Sequence, residues 1–183
     1  MGITIREAST EDSSAIAAIL HALGWSNYSQ NTSVAQSQAD IAEFLADFQR
    51  EPKHTTVLVA ESEQPIGNVA DNAEGDAYAE STRRVIGYVS VHWYPHLMRG
   101  ENDGYISELF VHPASTGQGA GTQLLQRVKE LARQRGCTRL LLLNRRIRES
   151  YSRRFYEKHG WKEQGDMAFF SYSLSLTPAT SKR

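Results

Sequence analysis

The residues best placed to do chemistry lie where an apolar strand meets a glycine-rich turn. Tyr105 to Val111 reads as a strand with one carboxylate, Glu108, and runs into His112-Pro113-Ala114-Ser115-Thr116-Gly117-Gln118-Gly119-Ala120-Gly121-Thr122. The turn passes directly into an amphipathic helix carrying Leu124, Leu125, Val128, Leu131 and Ala132. Glycines let backbone amides point inward with no Cβ in the way. A helix start adds free N–H groups and the positive end of the helix dipole. Thr116 to Thr122 therefore reads as a cradle for a phosphorylated ligand. It is not a Walker loop, because no lysine follows Gly121, and not a dinucleotide fingerprint, because Thr122 stands where the third glycine belongs. On the strand, period-two alternation sets Ile106, Glu108 and Phe110 on one face and Tyr105, Ser107, Leu109 and Val111 on the other. Glu108, between two apolar neighbours, is a candidate base acting directly or through a water. Its alternatives are an anchor for a cationic substrate or a plain surface acid.

A second segment narrows the ligand. Asn144 follows the apolar run Leu140 to Leu143, and Ser150-Tyr151-Ser152-Arg153-Arg154-Phe155-Tyr156-Glu157-Lys158-His159-Gly160-Trp161 comes shortly after. The order of the two segments resembles the GCN5-related N-acetyltransferase (GNAT) family, which holds acetyl-coenzyme A. Its first motif is Gln/Arg-x-x-Gly-x-Gly/Ala; Gly119 and Gly121 match, and Thr116 stands where Gln or Arg is usual. Its second is Asn after a strand, then small-x-x-Phe-Tyr-Glu-Lys-x-Gly-aromatic; Ser152, Phe155, Tyr156, Glu157, Lys158, Gly160 and Trp161 match. The resemblance covers about residues 84 to 176.

This resemblance implies an α/β fold with a mixed, mostly antiparallel sheet, helices on both faces, and a splay between the strand ending at Val111 and the strand ending at Leu143. The pantetheine arm is expected in the splay, paired with the backbone of Leu109, Phe110 and Val111. The phosphates are expected on Thr116, Gly117, Gln118, Gly119, Ala120, Gly121 and Thr122. Asn144 is expected to hydrogen-bond the arm or a water, although a residue ending a strand in a turn reads the same way. An N–H near Phe110 or Val111 is the expected oxyanion donor. Tyr156 matches the family's tyrosine near the coenzyme A sulfur, and a phenol with pKa near ~10 suits a leaving thiolate near ~8.5. The alternative for Tyr156 is a core aromatic, a role that Tyr151 and Phe155 fit better.

The implied activity is acetyl transfer from acetyl-coenzyme A, as co-substrate and without a metal, to a primary amine by direct transfer in a ternary complex. A small-molecule amine is the first expectation, such as an amino sugar, a polyamine or an amino-acid derivative; a peptide N-terminus or lysine is the second. A reading of another class, a sensor or assembly module that binds acyl-coenzyme A without turnover, is encouraged by Thr116. The first two helices and the strand 85–94 with its following loop form acceptor walls in the family. Here they supply Trp25, Tyr28, His92, Trp93, Tyr94, His96, Glu101 and Asp103, aromatic and acidic groups suited to a cation. Family members are often dimers, for which Phe169, Phe170 and Tyr172 are candidates.

The elements that must position these residues follow from periodicity. Gly2 to Arg6 reads as a strand. Ser9 or Thr10 caps a helix with the stripe Ile16, Ile19, Leu20 and Leu23. A second helix carries Ile41, Phe44, Leu45 and Phe48 and ends before Pro52. Strands are expected at 54–61, 85–93, 105–111 and 138–143, a helix at 150–159, and strands near 161–165 and 167–176. The polar stretch 62–83 reads as a mobile hairpin loop and 177–183 as a disordered tail, leaving one domain over 1–176.

Composition sets bounds. The chain has 183 residues, net charge -1 and 40% hydrophobic residues, the profile of an ordinary globular domain rather than a nucleic-acid binder. It has no apolar run of about 18 residues and no basic-then-apolar leader, so a cytoplasmic location without a membrane span is expected. The ten basic residues between Arg127 and Arg154 read as a solvated face, with one or two free to reach coenzyme A phosphates. His92 and His96 are not expected to share a metal, since Pro95 precludes a helix there. The lone Cys137 reads as a small buried residue, not a nucleophile.

Overall fold

In a computed structural model, residues 2–24, 30–63, 83–172 and 174 are described. Trp25, Tyr28, nearly all of the expected 62–83 loop, and the 177–183 tail lie outside them. The chain divides into two compact units, Met1–Leu143 and Asn144–Arg183.

The first unit is built on a five-stranded sheet in the order β1 (Ile3–Glu7), β2 (Thr55–Ser62), β3 (Arg84–His96), β4 (Glu101–Val111) and β5 (Cys137–Leu142). The first four strands pair antiparallel, and β4 pairs with β5 in parallel. The parallel pair requires a crossover, which the glycine turn and the helix after it supply. α1 (Ser13–Leu23) follows a 3-10 turn at Thr10–Asp12. There the Ser9 amide donates to Asp12, closing the helix entrance at 2.7 Å. α2 (Val34–Arg50) begins at Ser33, whose hydroxyl accepts from the Gln36 amide.

Ile16 and Ile19 of α1 and Leu45 of α2 are buried in one cluster with Val59 and Tyr88 of the sheet. α3 (Ala120–Gln134) contacts all five strands and buries Ala120, Leu124, Leu125, Val128 and Ala132, the stripe its 3.6-residue spacing foretells. Helices thus cover both faces of a mixed sheet, as expected. The lone Cys137 is half-buried at the start of β5, and burial raises its thiol pKa.

The splay is visible in the register. β5 follows β4 only from Asn102↔Cys137 to Ile106↔Leu142, whereas β3 accompanies β4 as far as Val111. From Ser107 onward β4 is flanked on one side by β3 and has left β5 behind.

In the second unit the expected 150–159 helix is two single turns, α4 (Glu149–Ser152) and α5 (Phe155–Lys158). The break falls at Arg154, whose φ of 56° is left-handed and interrupts the helical run. The Arg154 amide bonds Tyr151 O, three residues back, instead of continuing the four-residue ladder. The strands expected near 161–165 and 167–176 are absent among the described residues up to Tyr172. The alternation there is real, but a strand needs a neighbour to take its hydrogen bonds. Met167, Phe169, Phe170 and Tyr172 are instead exposed, Phe170 at 89%. No helix among the described residues is long and apolar enough to cross a membrane.

Candidate active site

Glu108 stands at the rim of a cavity of about 620 Å³ in the first unit. One wall is apolar, from Ile16, Leu20 and Leu23 of α1 and Ile41, Phe44, Leu45 and Phe48 of α2. The floor is sheet. Tyr88, Ser90 and His92 come from alternate positions of β3, and Ser107, Glu108 and Phe110 come from β4. A bulge makes this floor possible. Ser90 lies opposite Glu108 but Val91 lies opposite Ile106, so Ser107 is an extra residue on β4. Strict alternation therefore fails here. Ile106 is buried on the other face, and Glu108 has only Phe110 as an apolar neighbour along its own face.

The carboxylate is held from below. Tyr88 Oη donates to Glu108 Oε2 at 2.9 Å, and the phenol is 2% exposed. Burial, then the Glu108 charge, lifts the Tyr88 pKa well above the usual phenol value, so it remains a donor at any ordinary pH. Beside it, Thr55, His92 and Ser107 form a second network. Ser107 Oγ lies 3.4 Å from Ser90 O, which only its hydroxyl proton can bridge. The ring then donates from Nε2 to Ser107 over 3.1 Å, and Nδ1 accepts from Thr55 over 3.2 Å. Both ring nitrogens of His92 are thereby engaged.

Of the other residues expected in the acceptor walls, those described lie elsewhere. Trp93 is buried on the opposite face of β3, donating to Thr56 at 2.9 Å beneath the Arg135 guanidinium. Asp103 is 0% exposed and bridges Arg99 and Arg139, a structural role. Glu101 accepts from Thr138 at 2.6 Å, and neither Tyr94 nor His96 reaches the cavity. Four of the ten residues in the basic run, Arg127, Arg139, Arg146 and Arg154, each pair with an acid.

The glycine turn has the geometry of a cradle. Gly117 and Gly119 have φ of 87° and 91°, and a Cβ added at either would meet nothing within 4 Å. The positive φ selects glycine there, and the space above is open to a ligand. Gly119 is the N-cap of α3, and no side-chain cap bond closes this helix start. His112, just before, caps the short 3-10 turn by accepting from the Ala114 amide at 3.2 Å. Thr116 is exposed at the end of that turn.

In the second unit, Ser150 donates to Asn144 Oδ1 at 3.0 Å. Tyr151 and Arg146 both hold Glu163, Tyr151 at 3.0 Å. Tyr156 packs edge-on to Phe155 and Trp161, with ring centroids 5.1 and 6.0 Å away. Burial pushes its phenol up to about 12, against the opposing charge of Arg153.

Residues 22–161 match the acetyltransferase (GNAT) family. The chain belongs to that family. Within it, an aminoalkylphosphonate N-acetyltransferase of Salmonella typhimurium is 39% identical over 79 residues, 43% of this chain. The match spans about half, 51%, of that relative's length. Solved GNAT-like structures share the fold over nearly the whole chain. A transcriptional regulator from Bacillus halodurans superimposes with TM-score 0.67 at 22% identity, covering 93% of this chain and all of that one. Glucosamine-6-phosphate N-acetyltransferase from Arabidopsis thaliana gives 0.66 at 14% identity, covering 94% and 100%.

Sequence reasoning singled out Glu108 and the glycine turn but did not bring Tyr88, Ser90 and Ser107 together as parts of one floor. A signal for β3 was present: Tyr88, Ser90 and His92 alternate with Val89, Val91 and Trp93, a polar face on a strand that reads as apolar throughout. The bulge at Ser107 left no such signal.

Proposed function

We propose that the chain is an acetyl-coenzyme A-dependent N-acetyltransferase that moves an acetyl group to the primary amine of a small molecule, by direct transfer in a ternary complex. The observation that carries this reading is the Tyr88–Glu108 pair at the rim of a ligand-sized cavity, on the strand that parts from β5 and leads into the glycine cradle. Bound acetyl-coenzyme A supplies the activated acyl group and a thiolate leaving group.

The chain's residues fit that co-substrate. The amides of Gly117, Gln118, Gly119, Ala120, Gly121 and Thr122 would take its phosphates, with Thr116 adding its hydroxyl in place of a longer donor. The backbone of Leu109 to Val111, where β4 has parted from β5, would take the amides of the pantetheine arm, and Asn144 would bond the arm or a water. Phe110 or Val111 would present an N–H to the developing oxyanion.

Glu108 accepts the proton that the amine must lose, directly or through a water. Tyr88 holds one carboxylate oxygen, Oε2, and the other would take the proton. Tyr156 donates a hydrogen bond to the departing sulfur. With a phenol pKa of about 12 it is a weaker acid than a thiol near ~8.5, so it steadies the thiolate more than it protonates it.

The test is thiol release from acetyl-coenzyme A across a panel of small amines and short peptides, with an amine-free control. Release above that control with a small amine supports the reading, and release only with peptides transfers it to a protein acceptor. Binding of acetyl-coenzyme A with no release from any amine points to a module without turnover.

A further inference from the structure

The chemistry of the cavity lining specifies the acceptor more narrowly. We propose that the acceptor is a primary amine on an apolar body, an alkyl- or arylalkylamine, and not an aminophosphonate or an amino sugar. This rests on the transferase reading above and adds the substrate class.

The lining carries its charge at one end only. Glu108 is its single carboxylate, and Tyr88, Ser90 and Ser107 lie with it on the sheet floor. Nine of the fourteen lining residues are apolar, and the helical wall of α1 and α2 is entirely so. An ammonium group entering this cavity finds a carboxylate on a polar floor, with Tyr88, Ser90, His92 and Ser107 beside it, and hydrocarbon along the helical wall. A body such as a phenyl ring or a six-carbon chain would bury against Leu20, Ile41, Phe44 and Phe48 and release water from both surfaces.

The same lining counts against charged and hydroxylated acceptors. No Lys or Arg lines the cavity among the described residues. Of the residues outside those described, 25–29 and 64–82 contain no Lys or Arg, and Lys182 and Arg183 stand at the end of the sequence. A phosphonate dianion would therefore find no cationic partner in that lining and would lie within reach of the Glu108 charge. His92, the one basic side chain of the lining, already spends both ring nitrogens on Thr55 and Ser107. The hydroxyls of a sugar that faced the helical wall would meet only apolar side chains there. Yet the Salmonella typhimurium relative is described as acting on aminoalkylphosphonates. The two chains would then share a cofactor cradle and differ in the cavity.

The test compares kcat/KM for 2-phenylethylamine and hexylamine with 2-aminoethylphosphonate and glucosamine, by thiol release. It uses the full chain and Phe44→Arg, a change at a wall residue that is 59% exposed and so tolerant of substitution. The apolar amines are expected to exceed the other two by at least about tenfold. Phe44→Arg is expected to cut the apolar amines by about tenfold, one lost side-chain contact's worth of burial, with acetyl-coenzyme A affinity unchanged. Preference for the phosphonate or the sugar overturns the acceptor class while leaving transfer standing, as does indifference to Phe44→Arg. If no amine releases thiol, the transferase reading falls, and calorimetric titration of 2-phenylethylamine then decides the cavity. Binding weakened by Phe44→Arg supports the apolar assignment, and no binding overturns it.

Discussion

Tyr88 and Glu108 sit on neighbouring strands with the phenol hydroxyl 2.9 Å from one carboxylate oxygen, the phenol buried and the carboxylate at the cavity rim. The donor is locked by packing and cannot follow the solvent, so it fixes which oxygen of Glu108 remains available. Glu108→Gln keeps the shape and removes the proposed proton acceptor. It is expected to lower kcat/KM about 10²- to 10³-fold with the Kd for acetyl-coenzyme A unchanged, measured by steady-state kinetics and calorimetry. Tyr88→Phe removes only the orienting bond and is expected to lower kcat about tenfold or less with the Kd for acetyl-coenzyme A unchanged. A loss confined to stability, with kcat unmoved, would reduce Tyr88 to a packing role.

At the cradle, Gly119→Ala tests whether the backbone shape matters. The Cβ has open space, but φ of 91° is poor for any L residue, at a cost of about 1 kcal/mol or more. The expected result is a five- to tenfold weaker Kd for acetyl-coenzyme A with the amine KM unchanged. Equal weakening of both substrates would mean that the loop supports the fold in general.

The two halves of the account were unequally legible in sequence. Helices α1, α2 and α3 follow from the 3.6-residue spacing of their apolar stripes, and the five strands from short alternating or apolar runs, β2 and β3 being buried on both faces. The glycine cradle was legible because positive φ leaves a residue-type signature at Gly117 and Gly119. The bulge at Ser107 was not, since an extra residue in a strand changes facing without changing composition. For the same reason Ile106 was assigned to the wrong face. The break at Arg154 was hidden likewise, because an arginine in left-handed backbone gives no compositional warning. Trp93 and Asp103 were misassigned to the acceptor walls because an aromatic or an acid reads the same whether it lines a cavity or closes a buried network.

Tyr156 gives a pH-dependent test. Its folded pKa of about 12 lies above the unfolded phenol value, chiefly through burial, so folding favours the protonated form. Its contribution to stability is fully present below about pH 10 and is lost as pH rises toward 12. Tyr156→Phe should flatten that alkaline loss in thermal melts. If Tyr156 also steadies the leaving thiolate, the same variant lowers kcat about 10- to 100-fold with the alkaline limb of the rate profile unchanged below about pH 10.

Asp103 gives the opposite sign. Burial works to raise its carboxyl, but hydrogen bonds and charge from Arg139 and Arg99 outweigh it and hold the pKa below the usual carboxylate range. A depressed folded value means that the stabilisation is present above an unfolded pKa near ~3.9 and disappears as pH falls through the folded value. Asp103→Asn is expected to lower Tm by roughly 5 °C at pH 7 and by much less near pH 3, read by circular dichroism. An equal loss at both pH values would assign the effect to packing instead of charge.

The most direct test of the central claim is amine-dependent thiol release from acetyl-coenzyme A by the full chain, run beside Glu108→Gln at matched, saturating acetyl-coenzyme A. The account expects release that depends on the amine, with N-acetyl product formed in equal amount, and a fall of about 10²-fold or more in the variant. Equal rates in the two proteins, or thiol release without acetylated amine, would contradict it.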